Sequence, residues 1–445
     1  MKKIKNLPEN TFLTLFFLLF SLAFLIASLV APDRAYLFEG MVQILIQPCK
    51  IPTNYFAVGG YSATFFNMGL VTLACLGLYR IFRAELNNVA TLAIMLTVGF
   101  GSWGIDILNI WPTVFGTMLY CVVKKRPMKN YVSAMLFTTG IAPLISDLLT
   151  RYPYESAVGF TPQGAVLAIV VGLVSGFFIP AGLTHAPNVH KGYNLYNAAL
   201  PVGMAAFFLQ AVLYKTMGVD LPAAPAAETL KVASRLTVNT FCIAVFGILV
   251  IAALCMGCKP KDYWNLMLDK AEASSFSAAY GKAAFLMNVG VYGLFILGYY
   301  NLIGGSLNGV TFGIIFCMLA CCNSGSHPLS VLPIMLGYAA ASWLFQGFSN
   351  AIGGSFSGAI NAQAIMVGLC YASGLSPISR KYGWEYGFFA AMMHYTLVTS
   401  VPLLHGGYCL YNGGFTAAFV CLLLIPILER FTKTKAQLQA EKSAE

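Results

Sequence analysis

The stretch His190-Lys191-Gly192-Tyr193-Asn194-Leu195-Tyr196-Asn197 returns 215 residues later as His405-Gly406-Gly407-Tyr408-Cys409-Leu410-Tyr411-Asn412. Six of the eight positions are identical. Each copy precedes a long apolar run near the end of its own half of the chain. A motif repeated over this distance predicts a duplicated domain, and hence a fold made of two similar halves.

Further signatures recur between the two halves. At a separation of 221 residues the matching positions are Asn67 and Asn288, Gly69 and Gly290, Leu76-Gly77 and Leu297-Gly298, Tyr79 and Tyr300, Leu86-Asn87 and Leu307-Asn308, Gly104 and Gly325, Pro112 and Pro333, and Gly116 and Gly337. Closer to the motif the separation falls to 215, which pairs Pro162 with Pro377 and Gly172 with Gly387. The basic insert at 124–129, which the second half lacks, has the six residues by which the separation falls. The predicted organisation is a first repeat over 1–214, a linker over 215–235, a second repeat over 236–432 and a charged cytoplasmic tail over 433–445.

The composition is that of an integral membrane protein. Apolar residues make up 58% of the chain and charged residues 9%, and the mean hydropathy is +0.74, whereas soluble domains contain about 25% charged residues. The net charge of +10 does not indicate a nucleic-acid partner, because Lys and Arg lie in short clusters between apolar runs, where such clusters set membrane orientation. The predicted partner of the surface is therefore the lipid bilayer.

Apolar runs and helix breakers predict about seven spans in each half, each of a length suited to a hydrocarbon core of about 30 Å. They lie at 11–30, 62–79, 89–103, 105–123, 131–149, 162–183 and 196–214, and at 236–256, 285–303, 310–323, 328–345, 354–371, 386–403 and 411–428. Because seven is odd, the two copies enter the bilayer from opposite sides. The predicted fold is an all-α integral membrane protein of two inverted repeats, with broken or re-entrant helices; the amphipathic stretches 38–51 and 263–276 are candidates for the latter.

Positive charge supports the inverted arrangement. A cytoplasmic N-terminus places on the cytoplasmic side Lys2, Lys3, Lys5, Arg80, Arg83, the 124–129 cluster, Lys191, Lys259, Lys261, Arg380, Lys381, Arg430, Lys433 and Lys435. The outer side then holds only Arg34, Lys50, Arg151, Lys215, Lys231 and Arg235. The predicted location is the cytoplasmic membrane, with both termini in the cytoplasm.

Two segments, 99–104 and 322–328, interrupt short apolar runs at equivalent places. Membrane carriers commonly bind their substrate at the repeat interface, where helices are broken in corresponding positions. Backbone groups freed by such a break need a lined cavity or a bound solute, so Ser102, Asn323 and Ser324 are candidate binding residues. Ordinary tight turns between two full spans are the alternative.

Four further residues of the halves are candidate site residues. Asp106 and His327 occupy equivalent positions and would form a proton or cation coupling site if they met; two solvated interfacial side chains are the alternative. Asn67 and Asn288 lie within apolar spans, and their amides either hold close helix contacts or line a polar path.

The repeated motif supplies the remaining candidates, which are Tyr193, Tyr196, Asn197, Tyr408, Tyr411 and Asn412. Helix capping by Asn and anchoring by Tyr at the lipid headgroups are the structural interpretation, and contact with substrate is the functional one. The histidines lack a carboxylate or Cys at ligand spacing, and no phosphate-binding loop is present. We therefore expect neither a metal nor another cofactor.

Through these duplicated motifs the whole chain resembles an uncharacterised bacterial membrane-protein family built from a duplicated domain, and this resemblance implies no activity. It is more distantly similar to urea transporters, which are inverted repeats with a Tyr-Asn-Gly turn in each half. Tyr411-Asn412-Gly413 matches that turn, whereas Tyr196-Asn197-Ala198 departs from it, and the Asn-Asn-Pro signature is missing. The likeness is one of architecture.

The leading functional hypothesis is a permease or channel for a small polar solute, with its path between the halves. The competing hypothesis is a membrane-embedded enzyme acting on lipid or a lipid-linked substrate, with His190 or His405 as a base. A scaffold for a partner complex and a homo-oligomer are both compatible with the sequence.

Overall fold

The structure is a computed structural model that describes residues 6–49, 51–152, 159–216, 234–270 and 273–444. Most of the predicted linker 215–235 lies outside these residues, as do Lys2, Lys3, Lys5, Lys50 and Lys231 of the predicted charge pattern. Within the described ranges the ordered elements are all helical, and no strand occurs.

The first half contains eleven α-helices. They are α1 (Glu9–Val30), α2 (Leu37–Ile46), α3 (Tyr55–Val58), α4 (Gly60–Ile81), α5 (Asn88–Phe100), α6 (Trp111–Val123), α7 (Val132–Thr138), α8 (Ala142–Arg151), α9 (Pro162–Leu183), α10 (Ala186–His190) and α11 (Ala199–Gln210), which a π-helical turn extends over Ala211–Thr216.

The second half repeats this order. Its helices are α12 (Arg235–Cys255), α13 (Pro260–Met267), α14 (Phe276–Ala279), α15 (Lys282–Leu302), α16 (Gly309–Leu319), α17 (Pro328–Ala351), α18 (Gln363–Ala372), α19 (Ser376–Lys381), α20 (Trp384–Val398) and α21 (Asn412–Phe431), followed by the tail helix α22 (Lys435–Ala444). Helices α2 and α13 overlap the amphipathic stretches 38–51 and 263–276 that the sequence singles out.

Among the described residues, nine helical segments are long and apolar enough to cross a membrane, and three more are apolar but shorter. This count joins α7 to α8 and α11 to its π-helical turn. Helix α5 belongs to the shorter group; its 13 residues give a length of about 20 Å at 1.5 Å per residue. Two helices are clearly shorter than the predicted spans. Helix α6 begins only at Trp111, and residues 354–362 of the predicted span 354–371 are not helical, since this stretch carries four glycine and serine residues that favour turns.

The packing of the helices also repeats. Helix α1 packs along α4 as α12 packs along α15, and α6 packs along α9 as α17 packs along α20. Gly116 on α6 closely approaches the backbone at Gly176 on α9, and its equivalent Gly337 on α17 approaches Phe388 on α20. A side chain at either glycine would separate its helix pair.

One part of the sequence alignment needs correction. A single 3₁₀ turn, Thr139–Ile141, separates α7 from α8, and another, Ser373–Leu375, separates α18 from α19. Pro143 and Pro377 each stand in the first turn of the helix that follows. Pro377 is therefore the counterpart of Pro143, and not of Pro162, which begins α9. The insert at 124–129 alone does not account for the changing separation of the halves.

Candidate functional site

Helices α5 and α16 are equivalent, and they cross where the two halves meet. The Sγ atom of Cys317 lies 3.8 Å from the carbonyl oxygen of Leu96, and these two positions are 221 residues apart. The Ser102 hydroxyl donates a 2.8 Å hydrogen bond to the carbonyl of Gly309. Later residues of α5 thus contact earlier residues of α16. The two equivalent helices are therefore antiparallel, and an approximate twofold axis relates them.

The turns that follow these two helices are held by buried amides. The Asn67 amide nitrogen donates to the carbonyls of Gly101 and Ile105 at 2.7 and 2.8 Å. The Asn288 amide nitrogen donates to Cys322 and Ser326, the equivalent carbonyls, at 2.9 Å each. Both asparagines are fully buried. They brace the backbone of the two predicted break segments, which lie inside the protein rather than at its surface.

Asp106 and His327 form no hydrogen bond with each other, so the structure does not bring together the acid and the imidazole that could have formed a coupling site. Asp106 accepts from the backbone N–H of Asn109 at 2.9 Å, and His327 Nδ1 accepts from Ser330 N–H at 3.3 Å. His327 caps the start of α17, whereas Asp106 holds the turn at 107–110 that precedes α6. Because the halves are antiparallel, these equivalent residues lie at opposite ends of the molecule.

The repeated motif connects the two halves. The Leu195 N–H donates a 3.0 Å hydrogen bond to the Gly374 carbonyl, and the Leu410 N–H donates a 2.8 Å bond to the Gly140 carbonyl. Each glycine is the centre of a 3₁₀ turn that interrupts a helix pair in the other half. Each motif therefore donates a hydrogen bond to a backbone carbonyl at the helix interruption of the opposite half.

The motif tyrosines pack on the same two glycines. A Cβ atom on Gly374 would overlap the ring of Tyr196, and one on Gly140 would overlap the ring of Tyr411. The Tyr196 hydroxyl donates to the carbonyls of Cys317 and Cys370 at 3.1 and 3.3 Å. Its position is thus set by α16 and by the broken helix pair α18–α19.

The sequence interpretation missed the interruptions at Thr139–Ile141 and Ser373–Leu375. The first lies inside the predicted span 131–149, and the second lies between the predicted spans 354–371 and 386–403. A signal for them exists in Thr139-Gly140-Ile141-Ala142-Pro143 and Ser373-Gly374-Leu375-Ser376-Pro377, where a hydroxyl residue and Gly precede a Pro at a fixed spacing. Gly weakens a helix and Pro removes a backbone donor. Repetition of the pair in both halves marks a helix break.

A cavity of about 600 Å³ opens between the halves at one end of the molecule, which we call the cavity end. Its lining comes mainly from α5, α7, α9 and the first motif, with two serines from the second half. The residues are Asn88, Val89, Leu92, Arg126, Pro127, Asn130, Tyr131, Ser133, Ala134, Phe137, Pro180, Leu183, Thr184, Leu195, Asn197, Ser274 and Ser324. Asn197 and Ser324, predicted from sequence as site residues, are thus brought to one cavity from different halves.

The equivalent positions at the opposite end are closed. Val89 is 43% exposed, whereas its counterpart Val310 is 0% exposed. Asn197 is exposed, whereas Asn412 is 6% exposed and its Oδ1 accepts a 2.9 Å hydrogen bond from His405 Nε2. The two ends of a repeated structure therefore adopt different states, one open and one packed.

The remaining predicted residues lie in separate places. Asn323 accepts from the N–H of Ser277 through its Oδ1 at 2.8 Å. Tyr193 donates to the hydroxyl of Tyr382 at 3.2 Å, and Tyr408 donates to Asp147 at 2.9 Å. None of these three residues lines the cavity. The predicted site residues therefore belong to several separate hydrogen-bonded groups.

Both motif histidines are enclosed. His190 and His405 are each 0% exposed, and burial lowers the pKa of each imidazole to about 4, so both rings are neutral at pH 7. Their Nδ1 atoms accept from the nearby N–H groups of Gly192 and Cys409. Because the motifs lie at opposite ends, the two rings do not form a joint site.

The described residues hold no group of three or more His, Cys, Asp or Glu side chains arranged to bind a metal ion. All twelve cysteines fall within the described ranges and are free thiols, and Cys255 alone is exposed.

Comparison with known proteins defines the class: the chain matches the model of a family described as a protein of unknown function, DUF1576, over residues 34–215 and again over 259–430. The protein belongs to this family, and the double match agrees with the duplicated domain. No curated protein and no solved structure matches the chain with significance. The likeness to urea transporters is therefore carried by the sequence motif alone.

Proposed function

We propose that this protein is a permease of the cytoplasmic membrane that carries a small polar solute between its two halves by alternating access. The observation that carries the proposal is the unequal state of two equivalent ends, since the cavity around Asn197 is open and its counterpart around Asn412 is packed. Exchange of the two states between the halves would close the first end and open the second.

The antiparallel crossing of α5 and α16 supports an inverted topology. If these helices run roughly along the membrane normal, the approximate twofold axis lies in the membrane plane, and about seven helices of each half then enter from opposite sides. Basic residues at the cavity end include Arg80, Arg83, Arg126 and Lys191, which favours a cytoplasmic location for this end under the positive-inside rule. Both termini also lie there in this arrangement.

The lining of the cavity indicates the class of solute. Its polar side chains are mainly amides and hydroxyls, and Arg126 is the one charged residue among the lining residues. A cavity with hydrogen-bonding groups and no carboxylate suits a neutral or singly anionic solute. The side chains of Asn197 and Ser324 are the first candidates for solute contact, because they approach the cavity from different halves.

Flux measurements test the proposal. Purified protein reconstituted in liposomes is challenged with osmotic gradients of small neutral solutes and of monovalent organic anions, and entry is followed by light scattering. Passage of at least one solute is expected, and Asn197→Trp should remove most of it by filling the cavity, whereas the exposed Asn188→Trp outside the cavity should not. Absence of flux across the whole panel, or equal flux in the two variants, would contradict the proposal.

The inverted topology has a test of its own. Thr184 and Thr399 are equivalent and both are exposed, so single cysteines at these positions form a matched pair in a cysteine-free background. A membrane-impermeant maleimide should label Thr184→Cys only from the cytoplasmic side and Thr399→Cys only from outside. Labelling of both from one side would disprove the inversion.

A further inference from the structure

A buried polar cluster lies at the end opposite the cavity. The Oδ1 atom of Asp106 accepts from the N–H groups of Leu108 and Asn109 at 2.8 and 2.9 Å. The Asn109 amide donates in turn to the Ser146 hydroxyl at 2.9 Å, which places Asp147 of α8 beside this turn. Cys49 lies close enough to both Asp106 and Asp147 to interact electrostatically with each, so the two carboxyls share one region.

The two carboxyls are satisfied very differently. Asp147 accepts from the hydroxyls of Tyr408 and Tyr214 at 2.9 and 3.0 Å, and from Arg151 Nε at 2.7 Å. Asp106 is 1% exposed, and its Oδ2 atom has no hydrogen-bond partner among the described residues. A buried carboxylate oxygen without a partner is costly, whereas three donors stabilise an ionised carboxylate.

The second half provides an internal comparison. With Gly140 equivalent to Gly374, the counterpart of Ser146 is Arg380. The Arg380 guanidinium is buried and forms an ion pair with Asp269, so this end carries its own fixed cation. The first half instead has Ser146 at that position, and among the described residues of this cluster two carboxyls, Asp106 and Asp147, stand against one cation, Arg151. The described part of the cluster is therefore one positive charge short.

We propose that Asp106 carries this charge as a bound proton, and that the proton is the coupling ion of the transport cycle. The coupling role rests on the proposed function, whereas the proton site does not. A metal cation would need several free oxygen ligands, while the described cluster offers one unpartnered oxygen. Two carboxyls in contrasting surroundings commonly divide into an acid and a carboxylate, and here Asp106 is the acid and Asp147 the carboxylate.

The other titratable groups that face this cluster do not replace Asp106 as the proton site. They are Cys49, Tyr55, Asp147, Arg151, Tyr214 and Tyr408. Burial raises the pKa of the Cys49 thiol to about 12, so the thiol is already protonated at neutral pH. Asp106 is the group whose protonation removes the charge imbalance.

Infrared spectroscopy on the purified full-length protein tests the site without reference to transport. At pH 7 the wild type should show the carbonyl stretch of a protonated carboxyl, shifted in D₂O. Asp106→Asn should abolish this band, and Asp147→Asn should retain it. A band unaffected by Asp106→Asn, or one lost instead in Asp147→Asn, overturns the proton site, and so does a band that sodium chloride removes at constant pH.

Thermal unfolding provides a second readout if a variant folds poorly. A carboxyl protonated in the folded state is ionised in the unfolded chain above about pH 4. Folding then takes up a proton, and the stability of the wild type falls as pH rises from that value toward the folded-state pKa. Asp106→Asn should flatten this part of the profile. A wild-type stability that rises with pH relative to Asp106→Asn overturns the proposal.

Coupling is tested by the cavity itself. If the proton favours the present conformation, the labelling rate of Asn197→Cys relative to that of the exposed Asn188→Cys should fall as pH rises, and the added Asp106→Asn change should remove this dependence. Identical pH profiles with and without Asp106→Asn overturn the coupling. A protonated Asp106 in a protein that moves no solute would retain the proton site and reject the proposed function.

Discussion

At the scale of single residues, the asparagines conserved between the halves act on the backbone. Asn67 and Asn288 each hold two carbonyls of a buried turn through one amide nitrogen. An amide inside an apolar span otherwise suggests a polar path, and only the position of the turn reveals its structural partners. The two asparagines thus stabilise the turns that carry Asp106 and His327.

Replacement of either asparagine is expected to destabilise the fold. Asn67→Leu leaves the carbonyls of Gly101 and Ile105 without their donor, and each unsatisfied buried group costs roughly 1–3 kcal/mol. Unfolding in detergent, followed by the loss of helical circular dichroism, should occur at a clearly lower temperature. The exposed Asn188→Leu serves as control. An unfolding temperature equal to that of the control would show that the Asn67 amide does not brace the turn.

At the scale of helices, breaks and crossings define the interior. Lipid offers no partner to backbone groups, so interruptions such as Thr139–Ile141 are tolerated where protein satisfies them. Here the partner is the N–H of Leu410 from the opposite motif. The short helices α5 and α16 cross beside these breaks, and their antiparallel direction determines which ends of the two repeats come together.

A disulfide would report that direction. A Cβ atom on Gly99 of α5 would lie 2.6 Å from the Sγ atom of Cys317 on α16 and equally close to the Gly313 carbonyl oxygen, so a bridge from Gly99→Cys to Cys317 forms once the two helices move slightly apart. In a chain with the other eleven cysteines replaced and a protease site in the linker, Gly99→Cys is expected to keep the two halves joined after cleavage until reductant is added.

Gly77→Cys is the control for this cross-link, since nothing lies within 4 Å of a Cβ atom at that position. Halves that separate without reductant in the Gly99→Cys protein would show that α5 and α16 do not cross as described.

At the scale of the whole molecule, the two halves are interdependent. Tyr196 of the first half packs on Gly374 of the second, and Tyr411 packs on Gly140 in return. A tyrosine of each half therefore fills the space beside the interrupted helix pair of the other half. This exchange places the two interrupted helix pairs at the interface between the halves.

Separate expression tests this dependence. Fragments 1–225 and 226–445 are expected to copurify when produced together, and each alone should be degraded or aggregate. Adding Tyr196→Ala and Tyr411→Ala should weaken the association, because loss of a buried aromatic side chain costs roughly 3–5 kcal/mol. Tyr36→Ala, at an exposed position, should leave association unchanged. A stable, monodisperse single fragment would contradict the described exchange.

Local properties of the sequence determined the class of protein and its duplication. Apolar runs predict helices for a membrane because each helix satisfies its own backbone, and repeated Asn, Gly, Pro and Tyr positions identify the two halves without knowledge of their contacts. Asn197 and Ser324 were also recognisable as candidates, since both stand beside a helix end.

The tertiary structure decided what these residues do. It separates Asp106 from His327, joins Leu195 to Gly374, and leaves one of two equivalent ends open. The physical reason is that these relations depend on the antiparallel packing of helices from different halves, which satisfies buried polar groups and excludes lipid. Sequence periodicity records which face of a helix is apolar, but not which distant helix will cover it.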